Sequence, residues 1–259
     1  MRLIQTAWRG HKAPRAGGFI VKKIVLWLAL SVCVAGCASA PTGQVADPGD
    51  PYEATNRKVF AFDQMLDRTF LLPTAKNYNR FVPEFGRDRI HDLLVNLDLP
   101  VTFANDLLQG EPTRASQTLL RFTVNASVGL GGLFDPATHY GMPYHAEDFG
   151  QTLGVWGVGG NPYLMLPVLG PSSPRDVIGR GGDIALDPLT WVRFKQHIWW
   201  MGGEQYMKVL DVRARNIDTL EGLERDSVDF YATTRSAYRQ YRENEIRNGK
   251  SDTQDLPEF

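Results

Sequence analysis

Proline recurs at the start of successive amphipathic segments in this chain of 259 residues. Pro51, Pro83 and Pro112 each precede apolar residues at three- and four-residue spacing, and Pro100 opens a shorter segment that ends at Gly110. Proline fits the first turn of a helix but breaks the ladder of hydrogen bonds in a helix interior. The prolines therefore predict a mainly α chain of short helices joined by tight turns.

A basic, apolar leader precedes these segments. Residues 1–36 carry six basic residues and no acidic residue, and their apolar run Ile24–Val34 is too short to span a bilayer. The run closes on Val34-Ala35-Gly36-Cys37, which resembles the lipobox of bacterial lipoprotein precursors. The resemblance implies that residues 1–36 are a signal peptide and that Cys37 becomes a lipidated N-terminus. An ordinary secretory signal is the alternative.

The long leader leaves the start of translation open, because Val21-Lys22-Lys23 would make a more usual beginning than Met1. Residues 37–49 are small and polar and are expected to form a tether. The polar stretch 248–259 is expected to be a disordered tail.

The charge of the body argues against several partners. Beyond position 36 the chain carries 22 basic and 29 acidic residues, which argues against binding to nucleic acid and against simple electrostatic adhesion to anionic lipid. No run after Cys37 approaches roughly 18 apolar residues, so a conventional transmembrane helix is not expected. Attachment to a membrane would therefore depend on acyl chains and apolar surface.

The first helix is predicted to follow Asp50, with Asp50 as its cap, Pro51 in its first turn and Glu53 three residues after the cap. Its apolar stripe comprises Val59, Phe62, Leu66 and Phe70, opposite Asn56, Arg57, Asp63 and Asp67. This stripe either faces the protein core or lies at a lipid interface close to the anchor.

The glycine-rich segment from Phe149 to Gly170 interrupts the helical pattern. Gly159-Gly160-Asn161-Pro162 stands between two apolar arms and predicts a hairpin-like excursion. The hairpin is either buried, which the residues alone favour, or packed at a membrane or along a passage. Further on, Gln205 to Arg247 is predicted to be helical with a break around Glu221 to Ser227.

An enzyme is the main alternative of a different class. His145-Ala146-Glu147-Asp148 suggests metal or acid–base chemistry, but the chain has neither a His-x-x-x-His pair nor a Gly-x-Ser-x-Gly elbow to accompany it. We therefore predict no catalytic residue, no metal site and no cofactor.

Three stretches carry a resemblance to a known family: Asp50 to Arg57, Asn105 to Gly110 and Glu147 to Gly159. They resemble the VacJ/MlaA family of outer-membrane lipoproteins, and the similarity continues with matching order and spacing over residues 50–242. It implies a single ring-like bundle of short amphipathic helices over residues 50–247, with a glycine-rich hairpin, embedded in the inner leaflet of the outer membrane.

The same resemblance implies a function without catalysis. Such a protein takes phospholipids that have strayed into the outer leaflet and passes them through an amphipathic passage to a soluble periplasmic carrier, beside a porin trimer. Physically, a polar passage keeps the lipid head solvated and so lowers the cost of its transfer. A structural lipoprotein that braces the outer membrane is the other interpretation.

The resemblance also implies roles for two sets of residues. The passage or its hinge would involve Gly150, Gly154, Trp156, Gly157, Gly159, Gly160 and Tyr163. Of these, the two aromatic residues would be interfacial anchors. The helix in the membrane plane would present Asn56, Phe60, Phe62 and Leu66.

Overall fold

The computed structural model describes residues 49–192 and 197–248, and the regular elements of its first half are all helices. Helix α1 (Glu53–Leu66) continues through a π-helical turn (Asp67–Leu71) into α2 (Leu72–Phe81). Then come α3 (Glu84–Leu108), α4 (Pro112–Ser127) and α5 (Pro136–His139). The predictions for Cys37, the leader, the tether before Gly49 and the tail beyond Asn248 concern positions outside the described residues.

The second half contains the two described strands. Helix α6 (Phe149–Val155) precedes β1 (Leu164–Leu166) and β2 (Gly170–Ser172). Five helices follow: α7 (Pro174–Leu186), α8 (Pro188–Trp191), α9 (His197–Arg215), α10 (Ile217–Asp226) and α11 (Phe230–Ile246). The mainly α class predicted from the sequence is confirmed.

Pro100 does not begin a helix, contrary to the sequence prediction. It lies inside α3, which runs for 25 residues, whereas Pro112 opens α4 as predicted. An interior proline costs a helix on the order of 3 kcal/mol. Contacts of α3 with α4, α6, α7 and α9 offset that cost.

The hairpin is shorter than predicted and lies later in the chain. The first predicted arm is helix α6, because the Asp148 side chain accepts a hydrogen bond from the Gln151 amide and caps it. The strands pair antiparallel with Leu164 opposite Ser172, so the turn falls at residues 167–169 rather than at Gly159-Gly160-Asn161-Pro162.

Two helix ends also differ from the predictions. The break expected around Glu221 to Ser227 begins only at Ser227, and a second break falls at Asn216, between α9 and α10. At the first helix, α1 has Tyr52 at its cap position without a side-chain hydrogen bond. The Asp50 carboxylate is instead fully buried and bonded to distant residues.

Contacts between elements close into a circuit. Helix α1 packs on β1, β2 on α11, α11 on α6, α6 on α3, α3 on α9, and α9 on α2, which continues α1. This agrees with the ring-like arrangement that the family resemblance implies. Among the described helices, none combines the length and the apolar character needed to cross a membrane.

Candidate functional site

The interior of the described chain is more polar than apolar. Eighteen buried residues are polar or charged and eleven are hydrophobic. The hydrophobic ones form only small clusters, one around Tyr78 and Leu210 and one around Tyr163, Met165 and Tyr231. Buried polar groups lower stability unless they are hydrogen-bonded. An interior of this kind must therefore be organised by specific polar networks.

The surface shows the opposite character. On α1 and the turn that follows, Phe62 is 43 % exposed and Phe70 65 % exposed. A second apolar region begins at Trp191 and includes Trp199, which is 83 % exposed. Exposed apolar patches of this extent mark contact with lipid or protein. The stripe predicted on α1 therefore faces outward at Phe62 and Phe70.

Three cavities adjoin one another along α3. An acidic cavity of about 300 Å³ lies between α3, α7, α9 and the loop before α6. Its wall includes Tyr144, which also lines a narrow cavity of about 110 Å³. The narrow cavity shares Asp92, Asp135 and Thr138 with a large cavity of about 510 Å³. The row of cavities forms our candidate site.

A buried arginine organises the wall between the narrow and large cavities. Arg121, only 3 % exposed, donates hydrogen bonds to Thr138 Oγ1 at 3.0 Å and to the Met142 carbonyl, and it pairs with Asp135. Burial opposes ionisation of Asp135, but hydrogen bonds from Thr138 and Asn125 and the charge of Arg121 outweigh it and lower the pKa of this carboxyl. The wall between the two cavities therefore contains a fixed ion pair between Arg121 and Asp135.

The acidic residues of the first cavity differ in their surroundings. Arg242 donates to Asp148 at 2.6 and 3.0 Å, and these hydrogen bonds outweigh burial and lower the pKa of Asp148. Burial raises the pKa of Asp183 to about 6, although the Phe149 amide and Asn105 donate to it. Negative charge therefore persists at the cavity, with one group that titrates near neutrality.

His145 belongs to a buried cluster beside this cavity rather than to a catalytic triad. Its Nε2 lies 3.0 Å from Asp106 Oδ1 and 3.3 Å from Thr118 Oγ1. In a triad the acid orients one ring nitrogen while the nucleophile meets the other. Here Asp106 and Thr118 both contact Nε2 of His145. Thr118 is also only 2 % exposed, so the arrangement is not that of a triad.

The His145 cluster also offers three metal-ligand atoms, from Asp106, His145 and Glu147. Arg114 and Gln109 already donate to Glu147, at 2.5 and 2.8 Å. A cation at this point would have to displace the Arg114 guanidinium. The arrangement fits a structural link between α3, α4 and the loop before α6.

Asn56, which the sequence places opposite the apolar stripe of the first helix, is buried in a polar network and does not lie at an interface. Its Nδ2 donates to Asp50 Oδ1 at 2.7 Å and to the Tyr163 carbonyl at 3.1 Å, and its Oδ1 accepts from the Met165 amide at 3.0 Å. Asp50 also accepts from Tyr231 at 2.5 Å and from Arg235 at 2.7 Å. This Asp50 network joins α1, β1 and α11.

The other three residues predicted on the interfacial helix differ among themselves. Phe62 is exposed, Leu66 is half-buried, and Phe60 packs edge-on against Phe230 and Tyr231 at 5.4 and 5.6 Å between ring centroids. Phe60 therefore faces the core. The interfacial role stays a prediction for Phe62 and Leu66.

Tyr163 is not an interfacial anchor, contrary to the prediction. It is 1 % exposed and packs against the Tyr231 and Tyr238 rings at 6.1 and 5.8 Å. Trp156 is 54 % exposed, and its indole donates to the Leu108 carbonyl at 3.0 Å. Trp156 can therefore serve as an anchor, but Tyr163 cannot.

The predicted hinge glycines lie in different surroundings. Gly150 and Gly154 belong to α6, where an added Cβ would approach Arg242 and Ile246, respectively, within 2.8 Å. Gly157 has a positive φ of 89°, which favours glycine. Gly159 and Gly160 follow it in the loop. None of the five lines the three adjoining cavities, and their passage or hinge role stays a prediction.

Sequence reasoning missed the residues that do line the acidic cavity, above all Thr102, Tyr144, Asp183, Asp187 and Lys208. They come from four segments far apart in the chain. Asp183 near the end of the amphipathic helix α7 and Asp187 at its C-cap are four residues apart, and they were the one local signal that could have drawn attention to the site.

The fold and site define a class: a helical protein with a polar, cavity-bearing interior and an apolar exterior. The family model for the MlaA lipoprotein matches residues 48–245. Two relatives share the name intermembrane phospholipid transport system lipoprotein MlaA. The Haemophilus influenzae protein is 33 % identical, covering 88 % of this chain and 92 % of that protein. The Escherichia coli K12 protein is 33 % identical, covering 83 % and 84 %.

A solved structure indicates the same family. It comes from work on the structural basis for maintenance of bacterial outer membrane lipid asymmetry, and it superimposes with a TM-score of 0.69 at 33 % identity. The match covers 76 % of this chain and 98 % of the solved chain. The chain belongs to the MlaA lipoprotein family.

Proposed function

We propose that this protein removes phospholipids from the outer leaflet of the outer membrane and hands them to a soluble periplasmic carrier, maintaining lipid asymmetry. The inverted distribution of polarity is the observation that carries the proposal. Buried polar side chains and adjoining cavities lie within a helical body whose surface exposes large apolar residues. The names of its relatives, which refer to intermembrane phospholipid transport, point to the same process.

The physical basis of the transport is a lowered barrier. A phospholipid head loses hydration when it enters hydrocarbon, and this desolvation is unfavourable. Side chains such as Thr102, Asp183 and Lys208 can replace that hydration in the acidic cavity. Acyl chains would remain beside apolar surface, including Phe62 and Phe70. The row of cavities is the path we propose for the head.

The proposal includes a location and partners. Acyl chains on Cys37 would anchor the protein to the inner leaflet of the outer membrane, and the exposed apolar residues of α1 would set the body into that leaflet. A porin trimer beside the body and a soluble lipid carrier complete the proposed assembly. The net flow of lipid depends on that carrier.

Deleting the gene is expected to raise the phospholipid content of the outer leaflet and to sensitise cells to detergent with EDTA. Outer-leaflet phospholipid can be measured by its accessibility to an external lipid-modifying enzyme, with the intact gene reintroduced as the control. A normal outer leaflet in the deletion strain would contradict the proposed function. A raised sensitivity without any change in the leaflet would favour a structural brace.

Replacing Cys37 by alanine removes the proposed acyl anchor and tests whether the body holds to the membrane by itself. We expect part of the variant to remain with washed membranes, because large apolar side chains such as Phe70 and Trp199 stay exposed. Fractionation followed by immunoblotting measures the distribution, with the wild-type lipoprotein as the fully bound control. Complete release of the variant would indicate a soluble domain on a tether.

A further inference from the structure

The carboxylates of the acidic cavity are only partly neutralised. Lys208 pairs with Asp98 at 2.5 Å and with Glu204 at 2.8 Å, while Arg242 pairs with Asp148 and Arg114 with Glu147. Within residues 49–192 and 197–248, no ion pair joins a cation to Asp183 or Asp187, which also line this cavity. The cavity therefore carries a negative charge with room for a cationic group.

A hydroxyl in the same wall is available to a ligand. Thr102 is 2 % exposed and lines the cavity from α3, and its hydroxyl forms no hydrogen bond within residues 49–192 and 197–248. A hydroxyl can both donate and accept, so a ligand or a water that enters the cavity can bond to it. The wall thus offers a neutral hydrogen-bonding group together with uncompensated carboxylates.

The cavity is also of a suitable size and is reachable from a wider space. Its volume of about 300 Å³ is at the lower end of small-molecule sites, enough for a lipid head but not for whole acyl chains. Through Tyr144 it adjoins the narrow cavity, and through that the large one. An ammonium group entering the acidic cavity would meet carboxylates on α3, α7 and α9.

We propose that the acidic cavity recognises the ammonium group of zwitterionic phospholipids, and that the protein therefore favours them over lipids with purely anionic heads. This inference rests on the proposed transport function. Asp183 and Asp187 supply the negative charge, and Thr102 supplies a hydrogen bond to the polar head. A head that carries only negative charge is repelled by the same carboxylates.

The test presents both head types to the full lipoprotein. The purified protein in detergent micelles is mixed with equal amounts of phosphatidylethanolamine and phosphatidylglycerol that carry the same acyl chains, then reisolated, and the bound lipids are quantified by mass spectrometry. We expect roughly threefold enrichment of phosphatidylethanolamine, the scale of a partly exposed charge interaction. The enrichment should weaken as salt rises.

Two charge-removing variants identify the groups responsible. Asp187→Asn should bring the lipid ratio close to one, and its amide oxygen can still accept the hydrogen bond that the Leu189 amide now donates to Asp187 at 2.8 Å. Asp183→Asn should act in the same direction. The matched control is Asp226→Asn, which removes the same charge from an exposed residue of α10 and should keep the wild-type ratio.

The outcomes separate the inference from the function on which it rests. Equal binding of both lipids by the wild-type protein would overturn head selection and leave transport standing. An enrichment that persists in the Asp183→Asn/Asp187→Asn double variant would also overturn it. If neither lipid is bound, the proposed transport function fails, and the inference fails with it. Thermal unfolding of each variant checks that it is folded.

Discussion

Replacing Asp50 by alanine is expected to lower the free energy of unfolding by about 3 kcal/mol, because the change removes one partner of a buried ion pair. Asp50 is fully buried and accepts hydrogen bonds from Asn56, Tyr231 and Arg235. Alanine would leave the Arg235 guanidinium, whose side chain is 16 % exposed, without this carboxylate. The loss of stability is expected to affect α1, β1 and α11 together, because the Asp50 network joins these three elements.

The measurement is thermal or denaturant unfolding of the purified lipoprotein in detergent, followed by near-ultraviolet circular dichroism. For a chain of this size the loss corresponds to a midpoint lower by roughly 6–12 °C. Asp226→Ala is the control, because within the described part of the chain Asp226 pairs only with its exposed neighbour Arg225, and the variant should unfold like the wild type. If Asp50→Ala matched this control, the Asp50 network would have no structural importance.

The Asp50 network shows where sequence reasoning reaches its limit. A capping acid three residues before a glutamate is a good local signal for a helix start, and α1 does begin at Glu53. The Asp50 side chain nevertheless bonds to Arg235, 185 positions away. Local spacing carries no information about such a contact, so the start of the helix was predictable and the use of its acid was not.

Periodicity likewise predicts that a stripe exists but not what it faces. The apolar spacing on α1 is correct, yet Asn56 is buried and Phe62 is exposed. A polar residue is buried here because the Tyr163 carbonyl and the Met165 amide of β1 need hydrogen-bonding partners. Which side of α1 is buried and which is exposed could be assigned only once the position of β1 in the fold was known.

The helix starts predicted from proline were also correct only in part. Pro112 begins a helix, because nothing in the local structure opposes its preference for the first turn. Pro100 lies in the interior of α3, where packing against several neighbours outweighs the local cost. The residues of the acidic cavity were harder still, since four separate segments supply its wall. The family resemblance could predict a passage but not its lining.

A second large effect is expected where α6 and α7 cross. A Cβ added at Gly179 would lie 2.4 Å from the amide nitrogen and 2.6 Å from the Cα of Gly150. Both are backbone atoms, so Gly179→Ala can be accommodated only if the two helices move apart. Overpacking of this kind lowers the free energy of unfolding by about 2 kcal/mol.

The same helix supplies a matched control for Gly179→Ala. Among the described residues, no atom outside the local backbone lies within 4 Å of a Cβ built on Gly181, so Gly181→Ala is expected to raise stability by up to about 1 kcal/mol through the higher helix propensity of alanine. Unfolding of the two variants in detergent compares a close helix contact with helix propensity alone. If both variants were equally stable, the contact between α6 and α7 would tolerate a methyl group, and the case for a close-packed glycine crossing would fail.

If Gly179→Ala alone is destabilised, the displaced α6 should also disturb the acidic cavity, because Glu147 and Asp148 lead directly into that helix.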